Sequence, residues 1–163
     1  MDVNQAAKPV VYVETSVFSY LAARKSRNTA TAVRQDITQE WWNRRDSFRL
    51  VVSDAVYREA ERGDTRAANA RLQLLAETEL LAPSLEHVRQ LTRRIIKTGS
   101  LPVKAVEDAG HVAVAAIAGA DYLCSWNFRH LLNPAIRPRI EEICREEGFR
   151  PAIICTPEEL LFV

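Results

Sequence analysis

The chain has 163 residues, of which 47% are hydrophobic and 26% charged, the balance of an ordinary globular protein, which argues against extended disorder and a membrane-embedded chain. Lysines and arginines number 22 against 21 acids, a net charge of +1, so a nucleic-acid partner requires a local basic face rather than a global field. The apolar stretch Val112 to Ala120 is too short to span a bilayer, residues 1–8 lack the apolar run of a signal peptide, and Cys124, Cys144 and Cys155 lack CxxC spacing; a cytoplasmic protein with buried thiols and no zinc site is the expectation.

Val10-Val11-Tyr12-Val13 predicts a first strand buried on both faces. Glu14 follows it, and Thr15-Ser16 are expected to cap a helix that begins at Val17. An acid where a parallel strand gives way to a helix lies at the ligand-binding edge of an open sheet, so Glu14 is either a buried acid at a helix start or a site carboxylate. The helix is expected to end near Lys25-Ser26-Arg27-Asn28, with a second running from about Thr29 to Arg45. Trp41-Trp42 on the second helix read as core or dimer contacts rather than a base-stacking platform. Phe48 to Val52 predicts a second strand, with Ser53 as the N-cap of a helix from Asp54 to Arg62. Gly63 stops that helix, and Asp64 caps another that runs to about Thr78. Glu59 is in phase with Val56 and Ala60, so it is expected to point inward.

Glu79 to Ala82 predicts a third strand, broken by Pro83, and Ser84 opens a helix from Leu85 to Thr98 with Gly99 as its C-cap. Arg93, Arg94 and Lys97 meet the negative end of its dipole. After the turn Ser100-Leu101-Pro102, a helix from Val103 to Gly119 is built of small apolar residues, as suits a buried central helix. Glu107, Asp108 and His111 interrupt that background, and Asp108 and His111 share a face. Gly110 weakens a helix by about 1 kcal/mol relative to alanine, which suggests close approach of another backbone. Asp121 to Ser125 is a fourth strand with Asn127 just past it. A helix from Ile140 to Glu147 and a last strand from Ala152 to Cys155 lead to the capping box Thr156-Pro157-Glu158-Glu159. The alternation of strands and helices predicts one α/β domain over residues 1–163 with a mainly parallel five-stranded sheet.

In such a sheet Glu14, Asn127 and the helix after Ser53 open toward one crevice, which Glu59 and Asp108 need only lean inward to join. Two like charges 4 Å apart at an effective dielectric near 20 repel by about 4 kcal/mol, so protons or a divalent cation must offset the acids. Oxygen ligands suit Mg²⁺ or Mn²⁺ rather than zinc, and the chemistry they imply is metal-dependent phosphodiester hydrolysis. There is no GxxxxGK[ST] or GxGxxG run, which disfavours P-loop hydrolysis and dinucleotide binding. His111 reads either as a hydrogen-bonded core residue or as a group that orients a ligand or phosphate. A bland alternative has each acid paired with a nearby arginine such as Arg58 or Arg62.

Four segments carry a resemblance: Val11-Tyr12-Val13-Glu14-Thr15-Ser16, Ser53-Asp54-Ala55-Val56-Tyr57-Arg58-Glu59, Glu107-Asp108-Ala109-Gly110-His111-Val112-Ala113 and Ser125-Trp126-Asn127-Phe128-Arg129-His130-Leu131. In this order they resemble the PIN-domain family, and within it the toxins of VapBC-type toxin-antitoxin pairs. The resemblance implies an α/β/α sandwich and a Mg²⁺- or Mn²⁺-dependent endoribonuclease, often homodimeric and held inactive by a cognate antitoxin. It implies Glu14, Glu59, Asp108 and Asn127 as site residues, the three acids as metal ligands, and Ser16 as the hydroxyl that positions the first acid or the metal water. The family usually opens with aspartate where this chain has Glu14, whose extra methylene moves the carboxylate outward by roughly one C–C bond. The competing hypothesis is a catalytically weak or inactive PIN-like module that binds RNA or a protein partner through the same crevice.

Overall fold

A computed structural model describes residues 7–98 and 100–163. Five strands form one all-parallel sheet in the order β3-β2-β1-β4-β5. They are β1 (Val10–Val13), β2 (Arg49–Val52), β3 (Glu79–Leu80), β4 (Tyr122–Cys124) and β5 (Ile153–Cys155). The expected parallel α/β fold is what forms. Val11, Tyr12 and Val13 are fully buried at the centre of the sheet, as a β-branched and aromatic run covered on both faces should be.

The connections place the helices on both faces. From β1 the chain runs outward through α1 (Thr15–Ala22) and α2 (Thr29–Trp42) to β2, then through α3 (Asp54–Ala60) and α4 (Thr65–Leu75) to the edge strand β3. It then crosses back through α5 (Leu85–Lys97) and α6 (Val106–Ile117) to β4 on the other side of β1, and through α7 (Arg137–Glu146) to β5 and the short α8 (Pro157–Leu160). Right-handed crossovers put the outward and returning helices on opposite faces. The direction of strand order reverses between β1 and β4, and a crevice opens at their C-terminal ends.

Several boundaries move from their predicted places for local reasons. Glu14, not Thr15 or Ser16, is the N-cap of α1, and its carboxylate accepts the Ser16 backbone N–H. Ser53 occupies the N-cap position of α3 but makes no side-chain cap bond, because its hydroxyl is turned to Tyr12 at 2.7 Å. α2 ends at Trp42, and Arg45–Ser47 form a 3₁₀ turn instead of its last turn. The third strand shrinks to Glu79–Leu80: the Leu81 N–H still reaches Val52 O at 2.8 Å, and the donor-less Pro83 lies just beyond. α7 starts at Arg137 with Pro138 inside its first turn, where a missing N–H does no harm. The 3₁₀ turn Val103–Ala105 precedes α6 rather than extending it. Gly99, the predicted cap of α5, lies outside the described residues.

Asp64, Ser84 and the Thr156–Glu159 capping box act as predicted. Trp41 and Trp42 are core residues, packed edge-on with each other and against Phe48 and Phe18 respectively. Arg94 does more than meet a helix dipole: it joins α5 to α7 through Glu146 and Glu147 at 3.3 and 3.1 Å. α6 is the buried central helix that its small residues imply, with His111 to Ala116 all buried.

Candidate active site

Glu14 leaves the end of β1 with its backbone N–H on Cys124 O at 3.0 Å, which ties it to the end of β4. Its side chain is 7% exposed. Oε1 accepts Ser16 N at 3.1 Å, and Oε2 accepts the hydroxyls of Ser16 at 2.5 Å and Ser125 at 2.8 Å. The bond to Ser16 N turns the Glu14 side chain toward the start of α1. The same Ser16 hydroxyl accepts Trp126 N at 2.9 Å, and the Ser125 hydroxyl accepts Asn127 N at 2.9 Å. Two serine hydroxyls thus hold the carboxylate and shape the turn beyond β4.

Glu59 points inward from α3, as its phase predicts, with 14% of its side chain exposed. Its Oε2 accepts the Thr15 hydroxyl, and His111 Nε2 donates to Oε1 at 2.9 Å. His111, 1% exposed, has its other ring nitrogen 2.7 Å from the Tyr12 hydroxyl. Burial by itself pushes the His111 pKa down, but the Tyr12 oxygen and the Glu59 and Glu14 carboxylates outweigh it and hold the value well above that of an ordinary histidine. Burial likewise pushes Glu59 up, and the His111 and Thr15 bonds with the Arg62 charge pull it below the usual carboxylate range. The two shifts run in opposite directions, His111 toward the protonated ring and Glu59 toward the ionised carboxylate, as expected of mutually bonded partners. Each of Glu14, Glu59 and His111 offers a donor atom within 4.8 Å of the others.

Asp108 lies in the first turn of α6, one turn before His111, and forms a neighbouring group rather than part of that triplet. Its Oδ1 accepts Asn127 Nδ2 at 2.9 Å, and its Oδ2 is 2.7 Å from His130 Nδ1. Asn127 Oδ1 in turn accepts His130 N at 3.0 Å, so one amide orients both partners of the acid. Glu14, Glu59 and His111 thus form one group, with Ser16 on Glu14, and Asp108 and Asn127 form another; the Ser125 hydroxyl links the two through Glu14 and the Asn127 backbone. None of the three acids is paired with an arginine among the described residues: Arg58 binds Asp54, and Arg62 binds Glu107 at 2.7 Å.

Tyr12, Thr15, Ser53, Ser125 and His130 were not marked as site residues. A signal existed for Tyr12, since a strand's period of two puts it on the same sheet face as Glu14. Gly110 requires a correction. A methyl group built there would meet no atom within 4 Å, so no backbone approaches it. It lines instead a cavity of about 690 Å³, bounded also by Ser53, Glu59, Leu81, Val88 and Val106. Gly110→Ala is therefore expected to stabilise the protein by about 1 kcal/mol, measurable as a rise in thermal midpoint.

The sequence profile described as PIN domain matches residues 11–130, a span that contains all four site segments. Among solved structures, VapC20 of Mycobacterium tuberculosis, a Sarcin-Ricin loop cleaving toxin, superposes with a TM-score of 0.56 at 15% identity, over 85% of this chain and 95% of that one. VapBC2 of Rickettsia felis, solved bound to a DNA fragment from their promoter, gives a TM-score of 0.52 at 13% identity, over 90% and 98%. No curated protein matches the sequence. At these identities the two structures establish likeness of fold, and the profile match over most of the length establishes kinship: the chain belongs to the PIN domain family.

Proposed function

We propose that the protein is a divalent-metal-dependent endoribonuclease and the toxin of a toxin-antitoxin pair, one PIN-type domain spanning residues 1–163. The observation that carries this reading is the pairing of Glu14 with Glu59, free of arginine partners and held by hydroxyls, at the strand-order reversal of a PIN-family chain. Carboxylate oxygens from Glu14 and Glu59 fit a hard cation such as Mg²⁺ or Mn²⁺, while both ring nitrogens of His111 are engaged by Glu59 and Tyr12. Glu14 and Glu59 would hold the ion, with Asp108 completing the acidic wall. Bound there, it supplies Lewis-acid stabilisation for charge building on a phosphodiester oxygen and acidifies water.

The chain's own residues do the positioning. Ser16 and Ser125 fix the Glu14 carboxylate, Thr15 and His111 fix Glu59, and Asn127 with His130 fixes Asp108. Such second-layer bonds keep ligands in one orientation.

A cognate antitoxin is the proposed partner, and the apolar cavity beside Glu59 offers it a surface next to the site. A short neighbouring reading frame encoding a small DNA-binding protein would support that assignment. We further propose a homodimer working in the cytoplasm; none of the described helices is long and apolar enough to cross a membrane.

The alternative, a binding module without catalysis, draws on the Glu59–His111 pair, which already neutralises one acid. Calorimetric titration with Mn²⁺ separates the two. The enzyme reading expects stoichiometric uptake that Glu14→Gln weakens by at least about tenfold; no uptake by the unmodified protein favours the binding module.

A further inference from the structure

The turn beyond β4 carries an exposed aromatic side chain that the acid site does not use. Phe128 lies between Asn127 and His130, both of which hold Asp108, and 47% of it is exposed. The turn is pinned from both ends: Asn127 N bonds the Ser125 hydroxyl at 2.9 Å where it starts, and Leu132 N bonds Asn127 O at 2.9 Å where it closes. Trp126 beneath it is buried and anchored through Nε1 on Thr38 at 2.8 Å, and its ring centroid lies 6.0 Å from that of Phe128. The Arg34 guanidinium stands over the Phe128 ring at 4.7 Å and over Trp126 at 5.8 Å.

Among the described residues the guanidinium over this ring is unpaired. Arg34 has no carboxylate partner among the described residues, and neither do Arg24 and Arg27 in the stretch leading into α2 or Arg129 beside Phe128. On α2 the acids Asp36 and Glu40 are already taken by Lys25 and Arg44. An exposed aromatic ring on a held turn with an unpaired guanidinium over it is chemistry that suits single-stranded nucleic acid: a base stacks on the ring and the arginine meets a phosphate.

We infer that Phe128 and Arg34 form a base-stacking platform that seats one nucleotide of a single-stranded RNA beside the acidic crevice. The inference rests on the ribonuclease reading, because it takes RNA as the substrate. Stacking needs no base-specific hydrogen bond, so the platform tolerates any base and contributes grip and register rather than sequence choice.

The test is binding of a short fluorescein-labelled single-stranded RNA followed by anisotropy in excess EDTA, which separates binding from cleavage. Phe128→Ala is expected to weaken binding by about 5- to 150-fold, and Phe128→Trp to restore it. Arg34→Ala is expected to weaken binding and to reduce its salt dependence by about one phosphate contact. Phe162→Ala, at an exposed aromatic distant in sequence (86% exposed), serves as the control and should change nothing. Circular dichroism melts verify that each variant is folded.

Equal binding by Phe128→Ala and the unmodified protein, failure of Phe128→Trp to restore binding, or absence of RNA binding altogether overturns the inference. So does loss of a protein partner, rather than of RNA, on Phe128→Ala. Cleavage assays with Mn²⁺ on the same samples keep the two readings apart. Stacking-dependent binding without cleavage contradicts the ribonuclease and keeps the platform, whereas full cleavage by Phe128→Ala with unchanged binding contradicts the platform alone.

Discussion

Asp108→Asn is expected to lower RNA cleavage by about 10²–10³-fold, the scale of removing one preorganised electrostatic group from an active site, while leaving the fold intact. The substitution is isosteric and removes one formal charge from the acidic wall. Its carbonyl oxygen can still accept Asn127 Nδ2, and its new N–H₂ can donate to His130 Nδ1 in that ring's other tautomer, so both bonds now made by Asp108 have replacements. A thermal midpoint close to that of the unmodified protein, together with lost cleavage, is the expected pair of results. Equal activity in the variant would remove Asp108 from the site.

His111→Ala should have the largest effect on stability. It deletes a side chain that is 1% exposed, removes the partner that bonds the Glu59 carboxylate and strips the Tyr12 hydroxyl of one partner. Breaking a buried ion pair by removing one member costs about 3–5 kcal/mol, which for a chain of this size lowers the melting temperature by roughly 6–20 °C. The loss should depend on pH. His111 is raised in the fold, so its contribution is full below its unfolded pKa and disappears as pH rises through the folded value. Glu59 is lowered, so its contribution is present above its unfolded pKa and disappears as pH falls through the folded value. Melts of both proteins in chelator should therefore differ most between those two folded values and converge outside them. A difference independent of pH would mean that His111 only fills space.

What the sequence made legible follows from which signals are local. Glu14, Glu59 and Asp108 stand out because each is a carboxylate out of keeping with an apolar strand end, helix stripe or small-residue helix; the structure clusters Glu14 and Glu59 with His111 and places Asp108 in a separate group with Asn127 and His130. The parallel sheet was equally readable from alternating strand and helix patterns. Hydroxyl partners were readable only in part. Ser16 bonds Glu14, the acid that the resemblance assigns to it, whereas Thr15, which reads as a helix cap, serves Glu59 in a contact made across 44 positions. Ser53 likewise matched the composition of a cap, and only the neighbouring strand's Tyr12 shows why its hydroxyl turns away.

Gly110 shows the opposite failure. Its helix penalty implied a packing reason, yet the space over it is open and forms part of a cavity that long-range placement of β3 and α5 creates. The arginines divide in the same way. Arg62 and Arg58 are near the acids in sequence but are claimed by Glu107 and Asp54, whereas Arg34, unremarkable on its helix, meets Phe128 across the fold. Charge pairing at such distances is set by topology, which composition and periodicity do not encode.

The most direct measurement is cleavage of single-stranded RNA by the unmodified protein in excess EDTA, followed by addition of Mn²⁺ or Mg²⁺ beyond the chelator. Cleavage that stops in EDTA and returns with the cation is the expected result. Cleavage that continues undiminished in EDTA would contradict a metal held by the Glu14 and Glu59 carboxylates.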